Sequence, residues 1–105
     1  MELVKNELKY WEFIRALRNH PTVKAGFIQQ ENINIEKHQK FMNKYGKKYY
    51  ICLVDNLPAG FVGQINGDIR IATHPDFQGK GVGKFMINEL MRKHPDSFAK
   101  VKLVR

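Results

Sequence analysis

The dipeptide Asn66-Gly67 constrains this chain more than any other pair of neighbours in it. A type I′ turn needs positive φ at both central residues, and Asn-Gly meets that need at little steric cost, so the flanking segments fold back as a hairpin. The segment before it, Ala59 to Ile65, and the segment after it, Asp68 to Thr73, are rich enough in apolar and β-branched residues to be its arms. Upstream, Tyr49 to Val54 is a further β-branched and aromatic run, and Asp55, Asn56 and Pro58 supply turn residues between it and Ala59. The middle of the chain is therefore predicted to be an antiparallel meander.

Helical periodicity lies on both sides. Trp11, Phe13, Ile14 and Leu17 predict a helix over about Lys9 to Asn19, stopped before Pro21 because proline disfavours helical backbone in the residue preceding it. Asn34 is a suitable N-cap for a second helix carrying Ile35, His38, Phe41, Met42 and Tyr45 on one side, with Gly46 ending it. Val23 to Gln30 reads as an irregular or briefly helical connection, and Met1 to Lys5 as a short edge strand. After the meander, Pro75 ends the last arm and a glycine-rich loop, Gln78 to Gly83, opens a helix with Val82, Phe85, Met86, Leu90 and Met91 on its apolar face. His94 and Pro95 close that helix, and Ser97 to Val104 alternates as a final strand. The order β-α-α-β-β-β-α-β predicts an α/β (α+β) protein: a mixed, mostly antiparallel central sheet flanked by helices, in a single domain over residues 1–105.

Composition narrows the function classes. The longest apolar runs are only a few residues, far short of the ~20 that span a bilayer, and Met1 to Tyr10 lacks the charged-then-apolar order of a secretory signal. A cytoplasmic location and no membrane partner are expected. Cys52 is the single cysteine, so it forms no internal disulfide and no cysteine-based zinc cage, and it reads as a small buried residue on a strand. The four histidines lack metal-ligand spacing, and no metal is expected. The net charge of +8 favours an anionic partner. Much of it falls after Gln78, where Lys80, Lys84, Arg92, Lys93, Lys100, Lys102 and Arg105 outnumber Glu89 and Asp96.

The loop from Gln78 to Gly83 carries the chemistry. A helix N-terminus presents backbone N–H groups without internal partners at the positive end of a dipole, which together make an anion site. Gly79, Gly81 and Gly83 remove Cβ atoms where a phosphate must approach the backbone, and Lys80 and Lys84 add charge suited to a pyrophosphate. A P-loop is excluded, because Gly79 to Phe85 has neither its spacing nor its hydroxyl. The dinucleotide fingerprint also fails, since the glycines alternate and the loop follows an antiparallel meander.

Gln78-Gly79-Lys80-Gly81-Val82-Gly83 does resemble the Gln/Arg-x-x-Gly-x-Gly/Ala loop of the GCN5-related N-acetyltransferases, and Thr73-His74-Pro75-Asp76-Phe77 resembles the strand exit before it. The resemblance runs from about Leu8 to Arg105 and is specific over Ile69 to Leu90. Arg18-Asn19-His20-Pro21 and Ile35-Glu36-Lys37-His38 are similar to members acting on amino sugars or protein N-termini. It implies that backbone groups of Ile71, Ala72 and Thr73 pair with the pantetheine arm of acetyl-coenzyme A. It also implies that amides of Gln78, Gly79, Lys80, Gly81, Val82, Gly83 and Lys84 hold the pyrophosphate, so Gly81→Val should abolish coenzyme A binding with the fold intact. The implied reaction is acetyl transfer to a primary amine of a small molecule or peptide.

The sequence departs from the family after Arg105, where members continue with another helix and two strands, so it reads as a short or C-terminally truncated member. No Tyr follows Tyr50 to protonate the departing thiolate, and an unpaired edge at Ser97 to Val104 predicts a homodimer. The catalytic residues stay unassigned. Asp68 reads first as a turn residue after Asn66-Gly67, and lies near where some members carry a carboxylate base. His74 sits at a strand exit, and His38 on the apolar side of its helix reads as packed. Two rivals stay open: a non-catalytic coenzyme A binding module, and a basic nucleic-acid binding domain, for which no aromatic platform or reading helix is seen.

Overall fold

The computed structural model describes residues 1–20 and 34–95. Asn66 and Gly67 both take positive φ, 53° and 83°, and join β3 (Leu57–Ile65) to β4 (Asp68–Thr73). A second tight turn at Asp55 and Asn56, with φ of 51° and 65°, joins β2 (Tyr49–Val54) to β3. β1 (Glu2–Lys5) pairs with β2, giving a sheet of order β1-β2-β3-β4 that is antiparallel throughout the described residues. β3 starts two residues before the Ala59 expected from the sequence, taking in Pro58 opposite Leu53. The register shifts between Cys52 and Leu53, and that irregularity tolerates a proline with no N–H for the ladder. The connection over residues 23–30 and the strand over 97–104, with the edge that implied a dimer, lie outside the described residues.

α1 (Trp11–Asn19) begins two residues later than its periodicity suggests, because Leu8–Tyr10 forms a tighter 3-10 turn first. His20 takes extended backbone, as the residue before a proline must. α2 (Ile35–Tyr45) is capped by the Asn34 side chain, which accepts a hydrogen bond from the Lys37 amide at 2.8 Å. Gly46 keeps right-handed helical backbone and leads into a 3-10 turn, Gly46–Lys48, rather than making a left-handed cap. α3 (Val82–Lys93) follows the glycine-rich loop, with His94 as its C-cap.

Strand alternation splits the core in two. On one face Tyr49, Ile51, Phe61, Ile65 and Ala72 pack beneath Ile14 and Leu17 of α1 and Met42 of α2. On the other, Cys52, Ala59 and Val62 pack beneath Val82, Met86 and Leu90 of α3. Burial of such aliphatic and aromatic side chains stabilises the fold by about 1.5–3 kcal/mol each. His38 is 2% exposed between α1 and α2, with Nε2 2.6 Å from the Trp11 carbonyl oxygen and Nδ1 without a partner. It is a packed histidine. No helix among the described residues is long and apolar enough to cross a membrane.

Candidate functional site

Among the described residues β4 pairs only with β3 and offers a second set of backbone groups to its other side. The His74 amide donates to the Ala59 carbonyl at 2.7 Å, which fixes the alternation of the β3–β4 ladder. Residues 68, 70 and 72 direct their N–H and C=O groups at β3, while Ile69, Ile71 and Thr73 direct theirs away from it. Of the three residues implied for the pantetheine arm, Ile71 and Thr73 therefore face outward and Ala72 faces β3. The Gln78 side-chain amide reaches the outward Thr73 carbonyl at 3.4 Å.

The loop continues that line into α3. Gly79 and Gly81 both have φ of 80°, and Gly81 caps the helix with no side-chain hydrogen bond. The first helical hydrogen bond runs from the Phe85 amide to the Gly81 carbonyl at 3.0 Å, which leaves the amides of Val82, Gly83 and Lys84 without a helical partner. No acidic residue lies in that first turn. A Cβ on Gly79 or Gly81 would meet no atom of the described residues within 4 Å, so these glycines are required by positive φ, and space lies beside them there. That qualifies one expectation: valine at position 81 strains the backbone, so Gly81→Val carries a stability cost as well as any effect on binding. Gly83 is an ordinary helical residue whose Cβ would lie 3.6 Å from Thr73 Oγ1. Val82 is buried and anchors the turn, Lys84 is exposed, and Lys80 holds its ammonium 5.7 Å from the Phe77 ring centroid.

His74 links this loop to α1. Its Nδ1 accepts the Asp76 amide at 3.1 Å, which leaves the neutral ring proton on Nε2, and the Asp76 carboxylate stands 3.7 Å from Nδ1. The His20 ring at the end of α1 lies 6.2 Å from the His74 ring. His74 thus has a structural task in the 3-10 turn Pro75–Phe77.

Asp68 lies at the opposite end of β4, roughly 17 Å from Thr73 at ~3.4 Å per residue. Its carboxylate accepts from Arg70 Nε at 3.3 Å, and its side chain is 15% exposed. Three residues beside it were not singled out by the sequence. Tyr49, Gly63 and Arg70 form one row across β2, β3 and β4, and a Cβ on Gly63 would lie 2.8 Å from Tyr49 Cδ1, so the tyrosine ring passes over the glycine. Arg18 of α1 stacks 5.1 Å from the Phe41 ring centroid, and Phe41 meets Tyr49 edge-on at 6.0 Å. Burial pushes the Arg18 guanidinium below its ordinary pKa, with Tyr49 opposing and Arg70 adding to the shift. Burial pushes the Tyr49 hydroxyl up, opposed by Arg18 and Arg70 and reinforced by Asp68. No spacing rule joins residues 18, 49 and 70; strand register aligns Tyr49 with Arg70, and the packing of α1 brings Arg18 to them. Among the described residues no group of His, Cys, Asp and Glu could hold a metal.

Residues 10–103 match the acetyltransferase (GNAT) family. The chain belongs to that family. Acyl transfer is the general chemistry of that family. The fold is similar to that of a ribosomal-protein-alanine N-acetyltransferase from Brucella melitensis, with TM-score 0.74 at 10% identity, covering 89% of this chain and 66% of that one. An N-acetyltransferase from Staphylococcus aureus Mu50 gives TM-score 0.73 at 12% identity, covering 88% and 64%. A spermidine N-acetyltransferase from Vibrio cholerae, solved with CoA and spermine, gives 0.71 at 18% identity, covering 87% and 61%. This GNAT chain thus spans slightly under two thirds of the length of those structures. No curated protein matches it significantly by sequence.

Proposed function

We propose that this GNAT domain transfers an acetyl group from acetyl-coenzyme A to a primary amine of a small molecule or peptide. The observation that carries the reading is the α3 N-terminus: partnerless amides at Val82, Gly83 and Lys84, no acidic residue in the first turn, and, among the described residues, space beside Gly79 and Gly81. These amides, with Lys80 and Lys84, bind the pyrophosphate, as helix dipole and charge both favour. The outward groups of Thr73 and Ile71 align the pantetheine arm along β4, and Gln78 yields the Thr73 carbonyl to it. Acetyl-coenzyme A supplies an activated thioester.

That track leads from the loop towards Arg70 and Asp68. An amine held there attacks the thioester carbon once it has lost a proton; the C–N bond forms, the C–S bond breaks, and the thiolate leaves. Asp68 is the candidate base that receives the ammonium proton, directly or through water. Holding the amine against the thioester accelerates transfer even without a dedicated acid for the thiolate. The same reading places the protein in the cytoplasm, where a lone buried Cys52 stays reduced, and as a homodimer, checked by light scattering at high concentration.

The test is calorimetric titration with acetyl-coenzyme A, beside thiol release over a panel of amino sugars, polyamines and peptides between about pH 7 and 9. Micromolar-range binding and acceptor-dependent release that rises with pH are expected. Binding without release from any acceptor would instead support a binding module, and no binding would overturn the assignment of the loop.

A further inference from the structure

We propose that the acceptor amine of this domain also carries an anionic group, a carboxylate or a phosphate, held by Arg18 and Arg70 on the α1 face of the sheet. The inference rests on the acetyltransferase reading and adds the class of acceptor to it. Arg70 alternates with Ala72 on β4, and Ala72 lies in the core beneath α1, so the Arg70 side chain leaves the sheet on that face. Tyr49 crosses Gly63 towards β4 in the same row, and Phe41 lies edge-on against Tyr49 with the Arg18 guanidinium 5.1 Å from the Phe41 ring centroid. Two guanidiniums from elements far apart in sequence thus border one aromatic floor, at the end of the backbone track where the thioester is placed.

The charges there do not balance among the described residues. Asp68 is held by Arg70, and Arg18 is half-buried on Phe41 with no carboxylate among the groups that act on it, only Tyr49 and Arg70. Glu12, on the same helix, is taken by Arg15. Arginine packs well on aromatic rings through its stem, so stacking alone explains its position. It does not explain a second guanidinium beside it. Arg70 is exposed and shared with Asp68, so two guanidiniums against one carboxylate leave a net positive charge beside the half-buried Arg18, and the planar guanidinium fork suits carboxylate and phosphate alike. A polyamine would instead set a further ammonium against both arginines.

Matched acceptors separate these cases: γ-aminobutyrate against its amide, aminopropyl phosphate against aminopropanol, and cadaverine as the cationic control. The anionic member of a pair should show kcat/KM about tenfold or more above its neutral partner, what one charge-assisted hydrogen bond contributes, expressed in KM. The two pairs distinguish a carboxylate from a phosphate. Arg70→Gln and Arg18→Gln should each bring that ratio towards one, and Arg70→Lys and Arg18→Lys should restore part of it. The acetylated products, titrated calorimetrically with coenzyme A present, read the same preference without turnover. Equal handling of both members of each pair, or preference for cadaverine, in turnover or in product binding, overturns the inference. Failure to bind acetyl-coenzyme A counts against the donor reading, and the product titrations still decide this one.

Discussion

Tyr49 packs so closely over Gly63 that a Cβ added to the glycine would stand 2.8 Å from Tyr49 Cδ1 and 2.7 Å from the Lys48 carbonyl oxygen. The carbonyl belongs to backbone and cannot swing aside. Gly63→Ala should therefore destabilise the domain by about 1–3 kcal/mol, the range for an overpacked core. Urea unfolding checks this, and an unchanged midpoint would show that the ring and strand yield freely.

Gly81 and Gly83 should respond in opposite ways. Alanine at position 83 meets only ordinary contact with Thr73 Oγ1 and should add about 0.5–1 kcal/mol through helix propensity, while crowding the proposed pyrophosphate site. Valine at position 81 must adopt a φ of 80°, costing at least about 1–2 kcal/mol. Thermal unfolding paired with coenzyme A calorimetry separates the two, and tighter binding by the Gly83→Ala protein would argue against the cradle.

His38 should make stability depend on pH. Burial lowers its pKa from the usual 6.5, with the Trp11 carbonyl opposing. The unfolded chain therefore takes up the proton first: the contribution is complete above about pH 6.5, and is lost as pH falls through that value towards the folded pKa. Unfolding midpoints at about pH 7.5 and 5.5 should diverge for the native protein and converge for His38→Gln, which keeps a donor for the Trp11 carbonyl. Equal divergence in both proteins would assign the effect to other groups.

Cys52 should resist alkylation in the folded state. It is 0% exposed beneath α3, and burial raises its pKa, so both access and thiolate fraction are low. Labelling by iodoacetamide should follow unfolding as urea is added. Fast labelling of the native protein would show that α3 lifts readily from the sheet.

The meander and the loop were legible because their signals are local. Asn66-Gly67 dictates its own backbone, and Asn34 supplies its own helix cap, so no distant contact was needed to place either. Element starts were less legible: Leu57 and Pro58 join β3 only because the partner strand shifts register beside them, and Leu8–Tyr10 tightens into a 3-10 turn before Trp11. The glycine-rich loop precedes α3 as the sequence pattern expects, yet Ala72 differs from Ile71 and Thr73 through ladder parity, which hydropathy does not reveal. The cluster of Arg18, Phe41, Tyr49 and Arg70 was illegible, because it exists only after three strands align and α1 lies across them.

The sheet separates two cores whose side chains belong to opposite faces: Met86 and Leu90 on one side never enter the cluster that holds Ile14, Leu17 and Met42 on the other. Substitutions that share no contacts tend to add independently. A lineage built on this plan can accordingly redraw what lies under α1 and α2 by many small steps while the stretch under α3 stays as inherited. On the proposed function, novelty in acceptor and constancy in donor then become traits that vary without disturbing each other.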